Sequence, residues 1–285
     1  MDLCDLSCIL PLMERHGFRF SKSLGQNFLT DAAVPPRIAE ASGVERRNGV
    51  LEIGPGVGCL TRELAERAGR VVSVELDARL IPVLRETVGA LENVCVLQGD
   101  VMKTDLDTIL DEHFSGLVPT VCANLPYNIT TPVLTKLLHC GRFETVTVLI
   151  QKEVAARLCA EPGAEDYGAF SVFVQFYAIP ELCFIVPPGC FTPRPKVTSA
   201  VVKLTRRTVP AVSVRDEAMF HKVVRGAFAQ RRKTLLNSLQ SAFGSLGRDA
   251  LENCILACGL DPGTRGETLG LPEFAALSDA IGDVL

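Results

Sequence analysis

The stretch Val50-Leu51-Glu52-Ile53-Gly54-Pro55-Gly56-Val57-Gly58 decides the fold. Its first four residues read as a buried strand, and the glycines after them make a turn tight enough to bring the backbone close to a ligand. Helical spacing resumes over 59–68. A second apolar run, Val71-Val72-Ser73-Val74, ends at Glu75, 21 residues after Gly54. From that place an acidic side chain hydrogen-bonds ribose hydroxyls in dinucleotide folds. A strand, a glycine turn, a helix and a strand ending in an acid open an α/β domain wound on a parallel sheet.

The spacing is Gly-x-Gly-x-Gly, not Gly-x-Gly-x-x-Gly, and Glu52 stands just before the turn. A pyrophosphate would meet a negative charge there, whereas a cationic ligand would meet a partner. S-adenosylmethionine, with a sulfonium and an ammonium, therefore fits better than NAD. Working outward, Val94-Cys95-Val96-Leu97 leads to Gly99-Asp100. The Asp100 carboxylate either accepts from the cofactor's adenine amine or caps the next turn. A fourth run, 118–123, delivers Asn124-Leu125-Pro126-Tyr127. Ligands of open α/β sheets gather outside the carboxyl ends of the strands, and these ends present Gly54, Glu75, Asp100 and Asn124 in turn.

Asn124 offers a side-chain carbonyl, and Pro126 fixes a short turn so that the main-chain carbonyl of Leu125 or Pro126 points outward. Tyr127 offers a flat face for a base. Two acceptors beside an aromatic plane suit an exocyclic amine such as adenine N6. The plainer alternative is a β-turn with a hydrogen-bonding Asn and a partly buried Tyr. Prolines stiffen 187–196 and present Phe191 at little entropic cost. Phe191 is then either a second stacking face opposite Tyr127 or a core plug.

The chain has 285 residues, room for one large domain and a small one, and 47% hydrophobic with 22% charged residues is ordinary globular composition. No apolar run approaches the roughly 20 residues of a membrane span. Asp2, Asp5 and Glu14 make the N-terminus unlike a targeting peptide, so a cytoplasmic protein is expected. Eleven cysteines without a Cys-x-x-Cys pair, and four His, give no zinc spacing and point to buried free thiols.

The net charge of −4 is uneven: residues 1–205 hold 19 Lys/Arg against 24 Asp/Glu, and 206–285 hold 10 against 9. A nucleic-acid partner would need local basic patches. Beyond Arg206-Arg207 the pattern turns to helices near 216–229, 231–243, 248–258 and 272–281. A junction near Thr208-Val209-Pro210 divides a first domain, 1–207, from a second, 208–285. Arg225, Arg231, Arg232 and Lys233 fall within nine residues, either to contact phosphates or as a solvated helix face. The loop 161–168 is expected to be mobile beside the site.

Together Ser23–Asp31, Glu52–Gly58, Glu75, Gly99-Asp100, Asn124–Tyr127, Gln151-Lys152-Glu153, Tyr167-Gly168, Phe191–Lys196 and 227–236 resemble the small-subunit (16S) rRNA adenine N6,N6-dimethyltransferases, the KsgA family. The resemblance covers nearly the whole chain from about residue 20. It implies a Rossmann-like class I S-adenosylmethionine-dependent methyltransferase domain with a small all-helical C-terminal domain. It also implies dimethylation of two adjacent adenosines in a hairpin near the 3′ end of the rRNA. By position it makes Asn27, Leu29, Glu52, Gly54, Gly56, Glu75, Asp100 and Asn124 the candidate cofactor residues. The Asn124–Tyr127 turn, with Phe191, would hold the base. The acidic balance points to an assembling ribosomal subunit, rather than naked RNA, as the partner of a monomer. Three other readings share part of the pattern: a large-subunit rRNA methyltransferase of the macrolide-resistance type, a DNA adenine methyltransferase, and a ribosome-assembly factor with catalysis secondary.

Overall fold

The architecture follows from which apolar runs are buried on both faces. The computed structural model describes residues 1–18 and 26–285; Arg19, Lys22 and the Ser23–Gly25 part of the first motif lie outside the described residues. The strands are β1 (Phe28–Leu29), β2 (Asn48–Ile53), β3 (Arg70–Glu75), β4 (Val94–Gln98), β5 (Val118–Asn124), β6 (Thr145–Gln151), β7 (Ala178–Val186), β8 (Phe191–Thr192) and β9 (Ser199–Arg206). The helices through the middle of the chain are α1 (Leu6–Arg15), α2 (Val34–Ser42), α3 (Cys59–Arg67), α4 (Ile81–Thr87), α5 (Leu106–His113), α6 (Thr130–Cys140), α7 (Lys152–Cys159) and α8 (Ala169–Tyr177). Four more follow: α9 (Glu217–Phe228), α10 (Leu235–Ala242), α11 (Arg248–Ala257) and α12 (Leu271–Gly282).

Every residue of β2 is buried, which is the signature of a central parallel strand covered on both faces. Seven strands lie in the order β4-β3-β2-β5-β6-β9-β7. β2 pairs in parallel with β3 and with β5, β3 with β4, and β5 with β6. β9 runs antiparallel to β6, with Val202 opposite Val148. A separate ribbon sets β1 against β8, Leu29 facing Phe191. The sheet grows one way from β2 through β3 to β4 and the other way through β5. That reversal is a topological switch point, where a crevice opens outside the carboxyl ends of the strands.

The chain divides into two compact units: Met1–Ala155 with Glu181–Arg206, and Ala156–Pro180 with Arg207–Leu285. The chain passes between them three times, and the last crossing, at Arg206/Arg207, lies next to the junction expected near Thr208. The excursion of 156–180 has no counterpart in the sequence reading, because its cause is tertiary. Val172 and Phe176 of α8 share one core with Phe220, Leu239 and Phe274 of the later helices. The rings of Phe176 and Phe220 lie 4.8 Å apart.

Several local expectations change. The N-terminal arm contains α1, started by Asp5, whose carboxylate accepts from the Ser7 N–H. Helix α10 begins at Leu235, not at 231, because Thr234 caps it. The loop 161–168 is tied into the helical unit: Gly163 N–H donates to Glu267 O at 2.7 Å, and the Tyr167 hydroxyl to Leu269 O at 2.9 Å. All eleven cysteines are free, four buried and seven half-buried. No helix among the described residues is long and apolar enough to cross a membrane.

Candidate active site

The glycine turn leaves β2 through a left-handed backbone. Gly54, Gly56 and Gly58 have φ of 68°, 62° and 92°. At Gly58 space also forbids a side chain, since a Cβ would stand 2.7 Å from Val88 Cγ1. Gly54 N–H donates to Val74 O at 3.0 Å and ties the turn to β3.

Beneath the turn Glu52 is 1% exposed. The Thr61 and Ser73 hydroxyls each donate to its Oε2 at 2.6 Å. Its Oε1 is buried without a partner among the described residues. Burial pushes this carboxyl up to about 7, against the pull of the Ser73 and Thr61 hydroxyls and helped by the charge of Glu75. Glu75, at the end of β3, accepts from Asp77 N–H at 2.8 Å and more loosely from Gly56 N–H at 3.4 Å. Burial raises it also to about 7. Two carboxyls that hold protons near neutrality stand ready to meet positive charge.

This has a consequence for stability. The Glu52 pKa rises from 4.5 unfolded to about 7 folded. The folded chain therefore holds the proton more tightly, and the stability that this gives is complete below about pH 4.5 and lost as pH rises through 7. The loss is of order 3 kcal/mol. The melting temperature of the cofactor-free protein should fall between pH 5 and 8, and Glu52→Gln should flatten that slope; an equal slope in the variant would refute the assignment.

At the next strand end, Asp100 lines the cleft and also caps the following turn, Oδ1 accepting from Met102 N–H at 2.9 Å. The turn-capping reading of this residue is realised, and its carboxylate stands at the cleft where the other reading would need it. Gln26, which the sequence reading left unassigned, donates to Asp77 Oδ2 at 3.0 Å, and Arg79 pairs with the same carboxylate at 2.6 Å. The Arg79 guanidinium holds Asp77 below the usual carboxylate range.

The fourth strand end carries Asn124. Its Nδ2 donates to the main-chain carbonyl of Asn27 at 3.2 Å, so Oδ1 is the amide atom left to accept from a ligand. Leu125 N–H donates to Leu149 O at 3.1 Å, and the Pro126 carbonyl accepts from Ile129 N–H at 3.2 Å and from the Thr130 hydroxyl at 3.3 Å. Two donors thus already occupy the Pro126 carbonyl, one of the two main-chain candidates. Tyr127 is half-buried, and its hydroxyl meets Ser199 Oγ at 2.6 Å. Ser199, wholly buried at the start of β9, was invisible as a partner in sequence because 72 residues separate the two.

Asn27, Leu29, Glu52, Gly54, Gly56, Glu75, Asp100 and Asn124–Tyr127 all border one cleft. Leu76, Val101 and Ile129 join them. Leu76 is 52% exposed; in the sequence, an apolar Leu directly after the strand-end acid is the signal that could have singled it out. Phe191 corrects the expectation of a stacking sandwich. It is 3% exposed, packed in a core with Leu29, Val186 and Cys190, because pairing with β1 turns it inward. In the helical unit Arg225, Arg232 and Lys233 are exposed. Arg231 is exposed too, but donates to Glu267 at 3.0 Å and to the Glu165 carbonyl.

The sequence matches the family described as ribosomal RNA adenine dimethylase over residues 17–257. A ribosomal RNA small subunit methyltransferase A of Shouchella clausii is 48% identical across 96% of this chain and 94% of its own. Its counterpart in Geobacillus thermodenitrificans is 46% identical across 95% and 94%. Among solved structures, a dimethyladenosine transferase from Plasmodium falciparum superposes with a TM-score of 0.70 at 25% identity, covering 88% of this chain and 95% of that one. The 23S rRNA methyltransferase ErmE gives 0.67 at 28%, covering 90% and 99%. The sheet order, the paired acids and the Asn124 turn thus sit in a sequence with full-length kin, and the chain belongs to the ribosomal RNA adenine dimethylase family.

Proposed function

We propose that this enzyme transfers methyl groups from S-adenosylmethionine to N6 of two adjacent adenosines in the 3′ hairpin of small-subunit (16S) rRNA, giving N6,N6-dimethyladenosine. The observation that carries the reading is the Asn124 turn, in which the amide nitrogen is spent on the Asn27 carbonyl and the Pro126 carbonyl on Ile129 and Thr130, so that Asn124 Oδ1 and the Leu125 carbonyl are the acceptors assigned to the base beside Tyr127. The residues present fit the methyl donor. Glu52 Oε1 is a buried acceptor without a partner, and the left-handed glycines allow close backbone approach. Glu75 is the ribose acceptor, Asp100 and Leu76 the adenine contacts, and Glu52 with the glycine turn the site for the cationic end.

When bound, S-adenosylmethionine supplies an electrophilic methyl on a positively charged sulfur. The chain's own groups then act on the base. Adenine N6 is a poor nucleophile because its lone pair is delocalised into the ring. Asn124 Oδ1 and the Leu125 carbonyl accept its two hydrogens, drawing N6 towards tetrahedral geometry and fixing its direction of approach. Tyr127 stacks on the base once it has left its helix or loop, and one remaining hydrogen suffices for the second round. A direct displacement asks for no dedicated base, since the proton leaves after the methyl arrives.

Ser199 positions the stacking ring from its hydroxyl end. Ser199→Ala should cost about 3- to 10-fold in kcat/KM for the RNA, the worth of one hydrogen bond, with the cofactor Kd unchanged; unaltered kinetics would remove it from the site. Arg225, Arg232 and Lys233 are the phosphate contacts of the helical unit, and Arg231 is primarily an internal tie. The partner is an assembling small subunit and the enzyme acts as a monomer in the cytoplasm. The small-subunit relatives at 48% and 46% identity favour this target over the large-subunit one of the ErmE type. Labelled-methyl uptake by undermethylated small subunits, and none by large subunits, is the expected result; the reverse would overturn the target.

A further inference from the structure

Two residues beyond Glu75, the turn after β3 carries a second carboxylate, Asp77, that the methyl transfer does not use. Asp77 is 6% exposed, and its contacts run three ways. Its backbone N–H donates to Glu75 Oε1 at 2.8 Å. Its carboxylate takes the Arg79 guanidinium at two points, Nε donating to Oδ1 at 2.8 Å and a terminal nitrogen to Oδ2 at 2.6 Å. Oδ2 also accepts from Gln26 Nε2 at 3.0 Å, across 51 residues of sequence. Gln26 lines the cleft and directly precedes Asn27, with Leu29 two residues further on.

The same corner holds the arm by a second route. The Arg79 guanidinium lies over the Phe18 ring at 5.3 Å, and Phe18 meets Phe28 edge-on at 5.8 Å. The Phe28 ring in turn lies against Gly56, where a Cβ would stand 3.2 Å from it. The Asn27 carbonyl accepts from Asn124 Nδ2 at 3.2 Å. Contacts thus run from the strand-end acid Glu75, through Asp77 and Gln26, to the neighbour of the base turn.

We propose that Asp77 is a positioning residue that, through Gln26, fastens residues 26–29 along the cofactor cleft. Its effect on affinity rests on the cofactor reading of the cleft; the bond between Asp77 and Gln26 does not. Asp77 does not border the cleft, so its hold on a ligand there is indirect. A carboxylate that accepts from an amide makes a charge-assisted bond, stronger than one between neutral groups. Holding residues 26–29 in place before the ligand arrives removes the entropy cost of ordering them on binding.

The test is an exchange of polarity in the full-length chain, read by calorimetry with S-adenosylmethionine and by thermal melting without it. Gln26→Glu sets a carboxylate against Asp77, and should raise the cofactor Kd about tenfold and lower the melting temperature by about 2–4 °C. Gln26→Glu combined with Asp77→Asn restores one donor and one acceptor with their roles exchanged. That double variant should regain the melting temperature and bind to within about threefold of wild type. Gln26→Ala removes the bond without adding a charge, and should weaken binding about threefold. An unchanged Kd in both single variants, or a double variant that binds as weakly as Gln26→Glu, would overturn the proposal. The latter result would mean that Gln26 acts on the cofactor directly. A wild-type chain that fails to bind S-adenosylmethionine would count against the reading of the cleft, and melting of the cofactor-free variants still decides the bond.

Discussion

Asn124→Ala should abolish methyl transfer, lowering kcat by about a thousandfold or more, while the cofactor Kd moves less than about threefold. The asymmetry follows from geometry. The side chain's nitrogen is spent on the Asn27 carbonyl, so the oxygen is the part that acts on the base. Losing it removes one of two acceptors that align N6, an effect on the transition state more than on ground-state binding. Asn124→Asp sharpens the point. It keeps an oxygen facing the base but surrenders the donor to Asn27, and should retain more activity than Ala at higher KM for the RNA. Single-turnover kinetics alongside calorimetry separates these outcomes, and normal dimethylation by the Ala variant would sink the assignment.

Glu75→Ala should show the converse, a cofactor Kd weakened about 10- to 100-fold, as expected for losing a hydrogen-bonding carboxylate worth about 1.5–3 kcal/mol. This carboxylate also accepts from the Gly56 and Asp77 N–H groups, so its loss loosens the glycine turn as well as removing the ribose acceptor. Glu75→Gln, which preserves the shape, should fall between wild type and Ala. Because burial holds Glu75 near 7, its ionised, better-accepting form grows as pH rises, and affinity should strengthen between pH 6 and 8. Calorimetry across that range measures both effects, and a pH-independent Kd equal to wild type in the Ala variant would remove Glu75 from the site.

Most of the site was legible in the sequence because its residues stand at strand ends. Strand, glycine turn and acid each leave a local mark, and the parallel sheet brings Gly54, Glu75, Asp100 and Asn124 to one edge. What escaped was set by long-range contacts. Ser199 lies on an antiparallel strand inserted beside β6, and no periodicity announces its bond to Tyr127. Phe191 looked like a presented aromatic because its loop is proline-rich; pairing of Leu29 with Phe191 turned it into core. The donors on the Pro126 carbonyl, Ile129 N–H and the Thr130 hydroxyl, likewise leave no mark in the sequence. Helix α8 reads as any buried helix, and only its packing with Phe220 and Phe274 assigns it to the helical unit.

The central claim joins a chemistry to an address: N6 dimethylation through the Asn124 turn, on small-subunit rRNA. Mass mapping at nucleotide resolution, after incubating the enzyme and S-adenosylmethionine with undermethylated small subunits, tests both together. The account predicts N6,N6-dimethyladenosine at two adjacent adenosines near the 3′ end, absent with Asn124→Ala. Methylation at any other atom, or only at an adenosine of large-subunit rRNA, would contradict it.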